Sequence, residues 1–316
     1  MSERKRWIGE KFQGYKDVGM LLAAMSLAGS SVVVGKMLVA TVPVFVATFG
    51  SLLVAFVCMI PLMYGRFGEL RTLTAREWLY LCLQGLCGIV LFRVFTLYGL
   101  HMTGAVQAGI ITGATPAVLA VLSLLLLGER LSGRMAAGIV LAALGCMVVN
   151  VFALGGEGKD NLLGSLLVGA AVVCEALFTI FRKRICHSVS ATTNTAVLIF
   201  CSLLMLAVPA AIEAATMTEW LSPEALLAIV YYGVFATVLA YLLWTAAVGR
   251  VSGATAGAAT AAMPASSVIL AALLLGEPPY WQHLAGCLLI VGGILVTAGR
   301  PPVRVNAIPA ADRNSR

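Results

Sequence analysis

The sequence predicts an all-α, polytopic integral membrane protein whose ten transmembrane helices form two inverted five-helix repeats. Three observations lead to this fold class: the composition, an internal repeat and the distribution of basic residues. Hydrophobic residues make up 60% of the 316, charged residues only 11%, and the mean hydropathy is +0.98. This composition excludes an ordinary soluble domain. A transmembrane helix needs about 20 mostly apolar residues, and the chain supplies many such stretches in succession.

The apolar stretches follow one another with short breaks that carry Pro, Gly or charge. Residues 1–17 form a polar cytoplasmic lead, too long and too polar to resemble the start of a cleaved signal peptide. The first repeat, 18–153, contains predicted spans at 18–39, 44–64, 77–98, 105–127 and 135–153. The second repeat, 162–299, contains predicted spans at 162–181, 192–213, 224–248, 254–275 and 283–299. Residues 300–316 are predicted to be a disordered, basic cytoplasmic tail.

The 21 Lys and Arg residues are distributed unevenly across such a chain. With the N-terminus inside, Lys159 is the only basic residue on the outer side, and Lys36 and Arg93 lie within spans. All the others fall in cytoplasmic segments, as the positive-inside rule requires. This asymmetry predicts a multi-pass protein of the cytoplasmic membrane with both termini in the cytoplasm. The net charge of +7 is therefore a topology signal, and nothing else indicates nucleic-acid binding.

An internal repeat relates the two halves of the chain. A shift of 148 residues superposes two copies of Leu-Leu-Leu-Gly-Glu and brings Pro116 onto Pro264 and Gly109 onto Gly257. Matching Pro, Gly and Glu residues in one register indicate a duplication. Because each half has an odd number of spans, the second half would enter the membrane from the opposite side. Inverted repeats are typical of secondary transporters, which bind substrate near the membrane midplane and expose it alternately.

The stretch LYGLHMTGAVQAGIITGATPAVLAVLSLLLLGERLSGRMAAGIVLAALGCMVV resembles the repeat unit of EamA-type transporters of the drug/metabolite transporter superfamily. There, a Tyr and a turn of small residues, here Tyr98 and 103–105, precede a span with a central Pro and a Gly-Glu end. The resemblance covers nearly all of 18–299 and implies a metabolite or drug transporter. The family often has a basic residue where this chain has Gly50, and that residue would contact an anionic group. Arg93, on another helix, could supply this positive charge instead.

Ionisable residues inside a membrane cost at least about 2.5 to 3.5 kcal/mol at the centre and are therefore candidate sites. Glu175 could accept a proton, pair with a substrate amine, or form a fixed hydrogen bond between helices. Arg93 could bind a carboxylate, hold a structural partner or reach the outer surface. Lys36 lies near a span end, where snorkelling explains it better.

An amino acid would satisfy Glu175 and Arg93 at once, which favours amino acids or related metabolites as substrates of an exporter. Helix rise separates the two in depth by roughly 10 Å, so direct pairing is not expected. The alternative is a broad-specificity drug or toxic-metabolite exporter with an apolar cavity. A membrane-embedded enzyme or a channel is a further class, although no clustered catalytic constellation occurs. The chain is predicted not to be an enzyme, with no catalytic residues.

Several polar and aromatic residues could line a cavity or could simply pack between helices. Tyr241 falls on Arg93 under the 148-residue shift, and Trp244 lies one turn further along, on the same helix face. The predicted substrate-binding set is Arg93, Glu175, Tyr241, Trp244, Gln107, Tyr98 and Asn194, with Glu175 also the candidate for proton coupling.

Small residues and prolines in the fourth and ninth spans permit close helix packing or a hinge. The candidates are Gly109, Gly113, Pro116, Gly253, Gly257 and Pro264. Glu129 and Glu277 end their spans, and we expect them to cap neighbouring helices or to pair with Arg130 or Arg134.

The eight cysteines lack metal-ligand spacing and are predicted to be packing residues. No nucleotide motif is complete, which leaves proton coupling or exchange as the energy source. We expect no cofactor and no metal site. The predicted partners are a small-molecule substrate and the lipid bilayer. A monomer already contains both halves, and a homodimer stays open as an alternative.

Overall fold

The structure is a computed structural model that describes residues 2–38, 41–102, 111–112, 114–129, 132–152, 162–217, 221–274 and 281–297. Within these ranges all regular secondary structure is helical, which confirms the all-α class. The described helices of the first half are α1 (Ser2–Leu38), α2 (Val44–Leu62), α3 (Phe67–Thr72), α4 (Ala75–Gly85), a π-helix (Leu86–Leu91), α5 (Phe92–Met102), α6 (Thr115–Leu127) and α7 (Gly133–Phe152).

The second half has a similar order of elements. Its described helices are α8 (Leu162–Ile185), α9 (Ala191–Ala214), α10 (Pro223–Tyr231), a second π-helix (Tyr232–Leu239), α11 (Ala240–Ala247), a 3₁₀ turn (Val248–Arg250), α12 (Gly253–Thr260), α13 (Ala262–Leu274) and α14 (Trp281–Thr297). One difference from the sequence expectation concerns the N-terminus: residues 2–17 are not a separate segment but the first half of α1.

Five described helices are long and apolar enough to cross a membrane: Val44–Leu62, Ala75–Thr96, Leu162–Ile185, Ala191–Ala214 and Pro223–Arg250. Three shorter apolar helices accompany them. Apolar side chains also line the outside of the bundle. On α9, Leu204, Val208 and Ile212 recur every four residues and are each about 60% exposed, so they form one outward stripe. An uncovered apolar stripe of this kind suits a lipid environment, and the chain is a membrane protein. The count of ten spans stays a prediction, and the proposed tail, 300–316, lies outside the described residues.

Serine and threonine side chains fix where several helices begin. The hydroxyl of Thr74 accepts a hydrogen bond from the Glu77 backbone N–H, and the Glu77 carboxylate accepts one from the Thr74 backbone N–H, which completes a capping box. The hydroxyls of three serines each accept a backbone N–H bond at the start of α9, α10 and α12: Ser190, Ser222 and Ser252. Each cap satisfies a backbone donor that the first helical turn leaves unpaired.

Each half contains a π-helical segment at the same register. Under the 148-residue shift, Leu86–Leu91 falls on positions 234–239 of the second segment, Tyr232–Leu239. The Thr237 hydroxyl donates to the Tyr232 carbonyl at 3.0 Å, which helps satisfy the widened turn. π-turns interrupt α-helices mostly at functional sites. No sequence signal distinguished these residues from ordinary α-helix.

Glycines bring α7 and α14 into direct backbone contact. A Cβ added to Gly145 would lie 2.7 Å from the Gly286 carbonyl oxygen, and one added to Gly138 would lie 2.9 Å from that of Gly293. The partner number falls as the residue number rises, so the two helices are antiparallel. Such a close approach requires residues without a side chain.

A second pair of glycine contacts joins the halves in an equivalent way. A Cβ added to Gly85 would lie 3.0 Å from Ser202 Oγ, and one added to Gly233 would lie 2.8 Å from Val54 Cβ. The 148-residue shift maps Gly85 onto Gly233 and Val54 onto Ser202. The shift therefore converts the Gly85–Ser202 contact into the Val54–Gly233 contact, so equivalent residues meet at two different helix interfaces.

The ninth predicted span is broken into α12 and α13 at Ala261. Pro264 follows that break and Pro116 lies in the first turn of α6. Both prolines thus begin helices, where their missing N–H costs no hydrogen bond, rather than bending a continuous one. Every residue from Val251 to Ala261 is buried. A Cβ on Gly257 would lie 2.8 Å from the Pro116 carbonyl oxygen, so Gly257 serves close packing.

Candidate functional site

One cavity of about 370 Å³ lies among α1, α2, α5, α8, α11 and both π-segments. Four residues of the predicted substrate-binding set line it: Arg93, Glu175, Tyr241 and Trp244. They come from three separate helices, so the fold brings together side chains that are far apart in the sequence. The cavity is large enough to enclose a small metabolite.

Arg93 lies on α5, just after the first π-segment. One of its guanidinium nitrogens donates to Thr48 Oγ1 at 2.6 Å, and its guanidinium carbon lies 5.3 Å from the centre of the Tyr232 ring. Neither contact neutralises the charge, although the ring face attracts a cation. Among the described residues no carboxylate pairs with Arg93. The guanidinium is positioned beside the cavity and keeps donors for an anionic group.

Glu175 lies on α8 and lines the same cavity. In the described part of the chain its carboxyl group forms no hydrogen bond and no ion pair. The fixed helix-to-helix hydrogen bond that the sequence left open is therefore absent within that part. A carboxyl group with no protein partner inside a membrane protein is a functional candidate, since leaving it there is costly.

Tyr241 lines the cavity together with the two charged residues. Its hydroxyl donates to the Gly88 carbonyl at 3.3 Å, and its ring meets the Phe178 ring edge-to-face at 5.7 Å. Gly88 is required here because a Cβ would lie 2.7 Å from Phe178. The π-segment carbonyl and the two rings therefore form one packed wall.

Trp244 lies one turn after Tyr241 and closes one part of the cavity. Its side chain is only 3% exposed, and its indole N–H has no hydrogen-bond partner in the part of the chain that the structure describes. The remaining wall is largely apolar, with Met25, Phe92 and Met263. A cavity with few polar groups on an apolar wall is typical of small-molecule sites.

The other predicted binding residues lie elsewhere. Tyr98 is 50% exposed and does not line the cavity. Asn194 is fully buried beside Arg182, whose guanidinium lies 3.4 Å from the Asn194 side-chain oxygen. Gln107 lies outside the described residues, as do Gly109 and Gly113. Asn194 thus helps to hold a buried cation instead of facing the cavity.

Sequence reasoning missed Thr48 and Gly88 as parts of this site, and it considered Tyr232 as a possible cavity residue without including it in the predicted binding set. Thr48 and Tyr232 hold Arg93, and Gly88 makes room for Phe178. Thr48 looked like an ordinary span residue, and Tyr232 was one of several tyrosines with no distinguishing spacing. The shift that aligns Arg93 with Tyr241 also aligns the two π-segments, but nothing in the sequence marks either segment as π-helical.

The sequence matches the model of the EamA-like transporter family over residues 16–151 and again over 162–299. The chain belongs to the EamA-like transporter family. It is 35% identical to the uncharacterized transporter YetK of Bacillus subtilis, over 93% of this chain and 90% of that protein. It is also 31% identical to a probable amino-acid metabolite efflux pump of Escherichia coli, over 54% of this chain and 59% of that protein.

A solved crystal structure superposes on this EamA transporter with a TM-score of 0.71, at 23% identity, over 91% of this chain and 96% of the other. The fold is therefore one already seen in a crystal. Family membership indicates a transporter rather than an enzyme. Among the described residues no group of three or more His, Cys, Asp or Glu could hold a metal ion.

Proposed function

We propose that this EamA transporter exports amino acids or related zwitterionic metabolites across the cytoplasmic membrane by alternating access. One observation carries the proposal: Arg93 and Glu175 line the same cavity, and in the described chain neither has a countercharge. An amino acid brings a carboxylate for the guanidinium and an ammonium for the carboxyl group. Binding it would neutralise both, which makes the pair selective for zwitterions.

Alternating access rests on the two halves being inverted repeats with ten spans between them. The α7–α14 contacts support this arrangement: Gly138 touches Gly293, Gly145 touches Gly286, and the 148-residue shift exchanges the two contacts. A reciprocal contact of this kind is the mark of a two-fold axis. Because the helices are antiparallel, the axis would run across them, in the membrane plane. Two such halves can exchange roles and expose the cavity first to one side and then to the other.

The direction of transport and the topology are also part of the proposal. The positive-inside distribution favours cytoplasmic termini. Efflux is supported by the relatives whose names describe amino-acid metabolite efflux pumps. Glu175 is the residue proposed to couple export to protons, because a carboxyl group without a protein partner can release its proton or exchange it for a substrate amine. One chain supplies both halves, so we propose that a monomer is sufficient.

The test is efflux from proteoliposomes that contain the purified protein, with and without a pH gradient. The panel contains radiolabelled zwitterionic amino acids, an amine without a carboxylate, a carboxylate without an amine, and a cationic dye. We expect export of the zwitterions only, increased by the gradient. Glu175→Gln should abolish the response to the gradient, and Arg93→Gln should weaken uptake into the binding site.

Asn194→Ala and Tyr98→Phe are controls for general damage, because both residues lie away from the cavity. Zwitterion flux that is unchanged in both Glu175→Gln and Arg93→Gln would contradict the proposal. A second function, export of apolar drugs, is favoured by the Met and aromatic residues on the cavity wall. Flux of the dye alone would select that function instead.

A further inference from the structure

Glu129 stands between the two halves at one end of the bundle. Its carboxylate accepts hydrogen bonds from the Lys183 ammonium group and from the Gly253 backbone N–H, the latter at 2.5 Å. Lys183 also donates to the Val251 carbonyl at 2.8 Å. Both charged side chains are largely buried, at 14% and 7% exposure. Glu129 thus caps α12, as the sequence predicted for a neighbouring helix, and among the described residues its ion-pair partner is Lys183 and not Arg134. Arg130 lies outside the described residues.

A second ion pair joins the halves at the same end. The Arg250 guanidinium binds the Asp17 carboxylate through two nitrogens, at 2.7 and 2.8 Å. Asp17 is buried, with 4% of its side chain exposed, and Arg250 ends the helical run that begins at Pro223. Both nitrogens bind the same oxygen, Asp17 Oδ1, and such charge-assisted hydrogen bonds are stronger than neutral ones.

The 148-residue shift does not reproduce the second pair at the other end. Asp17 and Arg250 correspond to Ser165 and Met102, which cannot form an ion pair. At that other end, Glu213 accepts two backbone N–H bonds, from Phe45 at 2.7 Å and from the next residue at 3.1 Å. The structure therefore distinguishes its two ends: ion pairs between the halves occur at one of them in the described chain.

Helix α12 is held by Glu129 directly, and the Asp17–Arg250 pair holds the 3₁₀ turn that precedes it. It begins three residues after Arg250, and its first N–H is bound by Glu129. All of its residues are buried, and Gly253 has no room for a side chain beside Ser123. Trp244, on the wall of the cavity, precedes Arg250 by less than two turns. The ion pairs, α12 and the cavity wall are therefore continuous along the chain.

We propose that the Glu129–Lys183 and Asp17–Arg250 ion pairs form a gate. This gate closes the cavity toward the end of the bundle at which both ion pairs lie. This inference rests on the proposed alternating access, because only a transporter that opens at both ends needs to break these contacts in each cycle. Opening the gate withdraws the α11–α12 junction from Glu129 and Asp17. Buried ion pairs are suitable for such a switch, since they hold while both partners are present and fail when one is lost.

The test is hydrogen–deuterium exchange of the full-length protein in lipid nanodiscs, which needs no substrate. In the wild type we expect slow exchange in peptides that cover Gly253–Thr260. Glu129→Gln should speed that exchange by roughly tenfold or more, because it leaves the buried Lys183 ammonium group without its countercharge. Asp17→Asn should speed it by a smaller factor, because the Arg250 side chain is 46% exposed and can turn to solvent. Peptides from the middle of α9 should not change. Glu224→Gln, an exposed carboxylate at the start of α10, is the matched control.

Reversing the second pair makes the test independent of a folding defect. Asp17→Arg and Arg250→Asp should each open the gate alone, and the double variant should return exchange to near the wild-type rate. Wild-type exchange in both single variants, equal acceleration in α9, or no recovery in the double variant would overturn the gate. If the gate behaves as expected but no zwitterion is transported, only the proposed substrate is wrong.

Discussion

Replacing Gly145 by Ala tests one of the close backbone contacts between α7 and α14. The added methyl carbon would lie 2.7 Å from the Gly286 carbonyl oxygen and 2.8 Å from the Ile290 N atom. Both atoms belong to backbone, so α7 and α14 must separate by roughly 0.7 Å to reach ordinary contact. Overpacking of this kind costs about 1 to 3 kcal/mol. The higher helix propensity of Ala returns about 0.5 to 1 kcal/mol.

Gly169 on α8 provides the matched control, because an added Cβ there meets nothing within 4 Å. Gly169→Ala should therefore keep only the gain in helix propensity. For a chain of this size, about 1 kcal/mol corresponds to roughly 2 to 4 °C in the melting temperature. We expect Gly145→Ala to melt several degrees below the wild type and Gly169→Ala to melt at or slightly above it.

The melting temperature can be followed with a thiol-reactive fluorescent dye. Cysteines such as Cys146, which is only 5% exposed, should react when the helices separate. Equal melting temperatures for Gly145→Ala and Gly169→Ala would refute the close backbone contact. This result would also remove the support that the reciprocal contacts give to a two-fold relation between the halves.

Two further predictions concern the aromatic ring that holds Arg93 and the Glu69 carboxylate of helix α3. Tyr232→Leu should weaken substrate binding by about tenfold, because the ring under Arg93 is lost. Tyr232→Phe keeps the ring face and should bind substrate nearly as well as the wild type. Equal loss of affinity in both variants, measured by isothermal titration, would exclude a role for the ring. Hydrogen bonds from Thr193 and Ser190 lower the pKa of Glu69 below its ordinary value of 4.5. This group therefore stabilises the fold above pH 4.5 and loses that contribution as the pH falls through the lowered pKa, so the melting temperatures of the wild type and Glu69→Gln should converge in acid and differ at pH 7.

The all-helical membrane fold could be predicted because it depends on patterns that the sequence displays directly. Long apolar runs predict helices, and a 148-residue shift indicates the duplication. The interruptions were harder to predict. A π-turn uses the same apolar residues as an α-helix and differs only in which carbonyl each N–H reaches. The helix break at Ala261 also lies among small residues. Their helix propensities do not predict the break, because burial in the bundle overrides propensity.

The candidate site could be predicted at positions where a charged side chain inside the membrane costs free energy. Arg93 and Glu175 were noticeable because charge is rare in spans, and repeat symmetry pointed to Tyr241. Asn194 was placed wrongly, because its partner Arg182 was interpreted only as a cytoplasmic basic residue. Arg182 is in fact buried and donates to backbone carbonyls as well as to Asn194. A contact between two helices that are not adjacent in sequence leaves no trace in the spacing of either.

The burial of α12 has a consequence for how the chain enters the membrane during synthesis. Its residues, GATAGAAT, are small and only weakly apolar, and within the described chain none of them is exposed at the surface of the bundle. Such a segment gains little by partitioning into lipid alone, where Leu, Ile, Phe and Val supply the driving force. Stable insertion of α12 therefore depends on α1 and α6, which are synthesised earlier and contact it. Assembly of the second half must follow the first.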